Sequence, residues 1–323
     1  MRSKLYNNAR KGCESGPSIN RREDILFGNK GVYIFMKKMT MLVCALALAI
    51  APCALAESTP EPMTVSHEGT VGTAQVAVDP LEEVFAINAD TLKTYAWIND
   101  AQVVGSIKEV AVDIQGLNNG HAYKTEPDYY DISLGEKGVL VVRPYSGPWN
   151  WMSFDTIREI DDILDAVYDK FELTEKTPLV VFGRSMGGIG VLNYARYGRH
   201  AVTAVAANSP VTDLAYHATE RPDCAATMYR AYSYYDCSVA QAISIHNPMN
   251  FVDELPDVPY FIVHGDADAA VNKQAHSDRF VPAARELGYD VTYVEVPGME
   301  HVDLLGHPDA LDAYLEFIAK FAE

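Results

Sequence analysis

The sequence predicts an α/β fold: a doubly wound, mostly parallel sheet with a small helical insertion lying over it as a lid. Three observations predict it. Short apolar runs, of the kind that form strands buried on both faces, recur along the chain and alternate with amphipathic stretches at helical spacing. Residues 177–190 read as a strand, a sharp glycine turn and a helix in immediate succession. Residues 211–256 interrupt the alternation with helix-forming sequence alone.

The elements follow in order. Thr73–Val78, Thr91–Ile98 and Lys108–Ile114 are the early strands, the last ending in a polar glycine loop, Gln115-Gly116-Leu117. A short helix is expected between Pro127 and Leu134. Gly138–Pro144 is a buried strand. Ser153 caps a long helix whose Phe154, Ile157, Ile160, Ile163, Leu164, Val167 and Phe171 share one face. Leu179–Phe182 is the strand before the glycine turn. Ala201–Ala207 and Val258–Gly265 are further strands on either side of the insertion. A helix over 272–287, a strand over 289–296 and an amphipathic helix through Leu311, Tyr314, Leu315, Ile318 and Phe321 complete the chain.

The 323 residues hold 26 Lys and Arg against 44 Asp and Glu, a formal net charge of −18. Such a surface repels nucleic acid, which is excluded as a partner. Residues 36–56 combine a basic start, a short apolar stretch and a small-x-small ending at Ala56, the pattern of a secretory signal peptide. Met36 is the expected true start, and 1–56 the expected leader. The apolar stretch is too short for a comfortable bilayer crossing, so no stable membrane span is expected after cleavage. The expected location is therefore secreted or periplasmic. Residues 57–72 read as a flexible segment and 73–323 as one domain, with the lid at about 211–256. Of five cysteines, Cys224 and Cys237 fall outside the leader, and in an exported protein an even pair predicts a disulfide.

The chemistry is carried by three short motifs. Gly183-Arg184-Ser185-Met186-Gly187 lies between a strand and a helix, the context in which Gly-x-Ser-x-Gly exposes a nucleophilic serine on a strained turn. A serine hydroxyl needs a base, and the base an orienting acid. Both occur where later strands end: His264-Gly265-Asp266-Ala267-Asp268, and Pro297-Gly298-Met299-Glu300-His301.

With these motifs the chain resembles the α/β-hydrolase superfamily, in particular secreted esterases and the catalytic domains of prolyl-oligopeptidase-type peptidases. The resemblance covers about residues 105–323. It implies Ser185 as nucleophile, Asp268 as acid and His301 as base, with Asp266 and Asp213 as rival acids and His264 as a packing residue. It also implies two backbone oxyanion donors: Met186, beside the nucleophile, and Leu117, in the loop after the third strand. The family has His-Gly at that loop where this chain has Gln115-Gly116. Tyr145, Trp149 and Trp151, with lid tyrosines such as Tyr232, would line an aromatic substrate pocket, unless the tyrosines form a core within the lid. No zinc spacing, phosphate loop or dinucleotide fingerprint is present, so no cofactor and no metal is expected. The expected substrate is a small-molecule ester or a short peptide. An exported carboxylic-ester hydrolase is the first expectation. A prolyl-oligopeptidase-like serine peptidase is the second, and a non-catalytic binding protein of the same fold the third. The stretch 57–105 is too short for the propeller such peptidases carry.

Overall fold

The computed structural model describes residues 85–118 and 124–323. The expected leader, the 57–72 segment and the strand at 73–78 lie outside the described residues. The chain enters through helix α1 (Leu92–Tyr95) and strand β1 (Ala96–Ile98), then β2 (Glu109–Ile114), α2 (Tyr129–Gly135) and β3 (Val139–Pro144). Next come α3 (Phe154–Lys170), β4 (Leu179–Arg184), α4 (Met186–Tyr197) and β5 (Ala204–Asn208). The insertion supplies α5 (Leu214–Glu220), α6 (Ala225–Tyr232) and α7 (Val239–His246). Strand β6 (Tyr260–Gly265), α8 (Ser277–Glu286), β7 (Val291–Val296) and α9 (Pro308–Ile318) follow.

The seven strands form one sheet in the order β1-β3-β2-β4-β5-β6-β7. Only β1 runs antiparallel to its neighbour; every other pairing is parallel. Parallel strands need crossover helices, and these must cover both faces. The burial shows it: Val110, Val112 and Ile114 of β2 pack into one core with α3, while Ala111 between them packs into the other with Leu134 of α2 and α9. Continuous apolar runs such as Leu179–Phe182 are therefore buried along their whole length, as a doubly wound sheet requires. The chain is an α/β-hydrolase fold.

One early strand differs from expectation. Residues 91–98 form a helical turn before the short β1. Asn88 Oδ1 accepts the backbone N–H groups of Asp90 and Thr91, at 2.9 and 3.1 Å, and turns the chain before any strand can start. Helix α8 begins at Ser277, later than expected, because the preceding segment from Asn272 to His276 folds as turns. Among the described residues no helix is long and apolar enough to cross a membrane.

Candidate active site

Strand β4 ends directly under Ser185, whose backbone sits at φ 57°, ψ −118°. A side chain rarely adopts a positive φ, and the neighbouring contacts hold this one in place. Ser185 N–H donates to Asn208 O at 3.0 Å, and Gly188 N–H donates to Ser185 O at 2.9 Å. The turn is possible only because α4 approaches β2 closely. A Cβ on Gly187 would stand 1.9 Å from Ile114 O, and one on Gly183 would stand 2.6 Å from Gly187 O.

Two loops from the carboxyl ends of other strands meet this serine. The loop after β7 brings His301 Nε2 to 2.9 Å from Ser185 Oγ. The loop after β6 brings Asp268 Oδ2 to 2.7 Å from His301 Nδ1. A carboxylate only accepts, so His301 carries its proton on Nδ1 and turns a free lone pair on Nε2 towards the hydroxyl. Burial by itself would raise Asp268. Hydrogen bonds from His264 and His301, the imidazole charge and the Val271 backbone outweigh it and hold the carboxyl well below the usual range. Its other oxygen accepts Ala270 and Val271 N–H at 2.8 and 2.9 Å.

The rival acids are placed elsewhere. Asp266 Oδ1 accepts Gly298 N–H at 2.6 Å, which shapes the loop that carries His301. Asp213 caps α5 by accepting Tyr216 N–H and takes an ion pair from Arg279. His264 is fully buried: its Nδ1 accepts from Ser277 Oγ at 2.7 Å and its Nε2 donates towards Val271 O, with Asp268 at 3.2 Å.

The Gln115-Gly116-Leu117 loop passes beside the nucleophile, where a Cβ on Gly116 would lie 3.8 Å from the Ser185 Cβ. The glutamine has a role of its own. Its Nε2 donates to Ser146 O and Gly147 O at 2.5 and 2.6 Å, which ties this loop to the one after β3. The N–H groups of Met186 and Leu117 find no backbone acceptor among the described residues, as donors reserved for a developing oxyanion would not.

A cavity of about 200 Å³ opens on Ser185 and His301. Its wall is Leu117, Asn118, Trp151, His217, Arg221, Cys224 and Val271. Trp151 is thus where an aromatic pocket would need it. Three other expected pocket residues are not on this wall. Tyr145 is held beside β1, its N–H donating to Tyr95 O at 2.8 Å. Trp149 is 42% exposed and donates from Nε1 to Asn118 Oδ1 at 2.5 Å, a prop behind the wall. Tyr232 is fully buried and donates from its hydroxyl to Trp151 O at 2.6 Å. It belongs to a separate core with Leu214, Met228 and Ala242, so the lid tyrosines serve packing or face solvent. His217 and Arg221 were not foreseen: they lie on α5 and just after it, in no motif and no periodic pattern.

The expected Cys224–Cys237 disulfide is not formed; Cys224 is a free, buried thiol. The reason is α6. Its eight residues rise about 12 Å from the Cys224 end, and the turns over 233–237 follow directly at the other. A disulfide needs Cα atoms within about 7 Å.

Behind the wall, Glu220 bridges two histidines: His217 Nδ1 at 2.8 Å and His276 Nε2 at 3.1 Å. The three could be read as a metal cage. However, His276 Nδ1 accepts the N–H groups of Thr212 and Asp213, both at 3.1 Å, so its proton sits on Nε2 and points at Glu220. That nitrogen has no lone pair for a cation.

A family model described as the prolyl oligopeptidase family matches residues 154–323, a span that contains Ser185, Asp268 and His301. No curated protein sequence matches the chain. Among solved structures it is similar to esterase B from Lactobacillus rhamnosus, with 16% identity, a TM-score of 0.54 and coverage of 68% of this chain and 77% of the other. It is also similar to the acylaminoacyl peptidase of Pyrococcus horikoshii, with 12% identity, a TM-score of 0.57 and coverage of 70% of this chain and 38% of the peptidase. A puromycin-hydrolysing peptidase of Mycobacterium tuberculosis gives 17%, 0.54, and 68% and 35% coverage. The chain thus spans about a third of the length of these peptidases. At these identities the likeness is one of fold.

Proposed function

The chain is a serine hydrolase that belongs to the prolyl oligopeptidase family, and on that premise we propose that it cleaves carboxylic esters through an acyl-enzyme intermediate. The observation that carries the chemistry is the unbroken chain of contacts from Asp268 Oδ2 through His301 to Ser185 Oγ. Ser185 Oγ attacks the ester carbonyl as His301 Nε2 takes its proton. The carbonyl oxygen, now an anion, is received by the N–H groups of Met186 and Leu117. His301 then returns the proton to the departing alkoxide, and the alcohol leaves with Ser185 acylated. A water deprotonated by His301 attacks the acyl carbon, and the acid departs as Ser185 regains its proton.

The cavity favours an ester over a peptide. It is small, and its wall carries the Arg221 guanidinium but no carboxylate among its members. A peptide subsite that captures a free amino terminus needs the opposite charge. The second reading, a serine peptidase, has the family name and the two peptidase neighbours in its favour. A panel of p-nitrophenyl acyl esters beside aminoacyl- and prolyl-arylamides separates the two. Turnover of short-chain esters with kcat/KM well above that of the amides is expected; hydrolysis of the amides alone would reverse the assignment. On the pattern of residues 36–56 we also place the enzyme outside the cytoplasm, and the secreted form should begin at Glu57 by amino-terminal sequencing.

A further inference from the structure

The catalytic cavity is faced by a second histidine-carboxylate pair that the hydrolytic chemistry leaves unused. His217 is 3% exposed and lines the cavity. Its ring is fixed on three sides: Trp151 lies against it at 5.8 Å between centroids, His276 at 5.6 Å, and Glu220 accepts its Nδ1–H. Glu220 is itself fully committed, with Oε1 taking Asn272 N–H at 2.7 Å and Oε2 taking both imidazoles. Being acceptor-only, it fixes the tautomer of His217. Nδ1 holds the proton, and Nε2 is a bare acceptor with no hydrogen-bond partner among the described residues. Burial lowers the pKa of His217, so this acceptor form is the one present at neutral pH.

We propose that His217 is a specificity-determining residue whose Nε2 accepts a hydrogen bond from a hydroxyl group on the substrate. The hydroxyl would sit on the part of the ester that fills this cavity. The inference rests on the ester-hydrolase reading above. A hydroxyl fits better than an ammonium beside Arg221, which stands on the same wall. Its Nε and Nη2 are taken by Asp223 at 2.9 and 2.6 Å, which leaves the rest of its N–H groups. With that charge already paired by Asp223, the wall offers no carboxylate to hold a cation, whereas a hydroxyl can donate to His217 and still accept from a neighbouring N–H. A plain alkyl group placed there would leave a buried imidazole lone pair desolvated without a partner, a cost that discriminates against it.

The test uses two matched substrate pairs, p-nitrophenyl butyrate against p-nitrophenyl 3-hydroxybutyrate, and propyl butyrate against glycerol monobutyrate. They place the hydroxyl on the acyl side and the alcohol side respectively. Each is measured on the wild type, on His217→Phe and on His217→Gln. The wild type should favour the hydroxylated member of one pair by about 10-fold in kcat/KM, expressed mainly in KM, the discrimination one satisfied hydrogen bond supplies. His217→Phe should bring that ratio close to 1, by weakening turnover of the hydroxylated ester and relieving the desolvation cost borne by the plain one. His217→Gln, which keeps a carbonyl acceptor and a similar polarity, should retain part of the preference and guards against misfolding in the Phe variant. Plain and hydroxylated esters turned over equally by the wild type, or a preference that survives in His217→Phe, would overturn the role of His217 and leave the esterase reading standing. No turnover of any of the four esters would instead overturn the esterase reading, and this inference with it.

Discussion

Asp268 and His301 come from the ends of two different strands, 33 residues apart in the chain, and meet at 2.7 Å. The contact fixes the proton on His301 Nδ1. An asparagine of the same shape could offer an N–H there and drive the proton to Nε2, where it would face Ser185 as a donor.

Asp268→Asn should therefore lower kcat by about 10³–10⁴ and change KM little. A loss below tenfold would show that the acid is elsewhere. The same carboxyl also gives a pH expectation. A depressed pKa contributes stability that is present above the unfolded value and is lost as pH falls through the folded one. Since Asp268 is held well below the usual range, its share of stability should persist down through pH 4. Asp268→Asn should thus cost the same in Tm at pH 5 and pH 7.

Gly187→Ala tests the close approach of α4 to β2. The added Cβ would sit 1.9 Å from Ile114 O, a backbone atom that cannot swing away. The variant should lose about 3 kcal/mol or more of stability, or fail to accumulate as folded protein. Wild-type stability in urea would mean that the turn is more open than described.

The meeting of Ser185, His301 and Asp268 could be read from the sequence because each sits next to a strand end with its own short motif, and the fold because its buried strands are unbroken apolar runs. The cavity wall could not. His217 and Arg221 reach it through the packing of the lid, which leaves no period or motif. Tyr232 looked like a substrate aromatic by composition, but its buried hydroxyl is spent on Trp151 O. The cysteine pair was inferred from compartment and count, and neither carries information about the helix that separates the two ends.

Glu109 should be a source of the stability lost as pH rises from about 5 to about 8. It is buried at the start of β2, and neither carboxylate oxygen has an ion-pair partner among the described residues. Burial raises its pKa from 4.5 to about 8, and the Phe321 backbone offsets this only in part. An acid with a raised folded pKa costs nothing below its unfolded value. It then destabilises by about 1.4 kcal/mol per pH unit until the folded pKa is reached. Glu109→Gln removes that slope. Its Tm advantage over the wild type should grow from pH 5 to pH 8; an equal difference at both would refute the assignment.

Cys224 is a free thiol on the wall of the cavity that opens on Ser185 and His301, and burial raises its pKa. Thiolate is the reactive form, so iodoacetamide should leave Cys224 unmodified in the native protein and alkylate it after denaturation. Rapid native alkylation, read by peptide mass mapping, would place the thiol at the surface.

The most direct test of the central claim is covalent labelling by a fluorophosphonate, which reacts with a serine only when a base has activated it. Intact-mass analysis of the wild type should show one adduct, and peptide mapping should place it on Ser185. Ser185→Ala and His301→Ala should show none. A wild type that takes up no label, or a Ser185→Ala variant that still does, would contradict the assignment of Ser185 as the activated nucleophile.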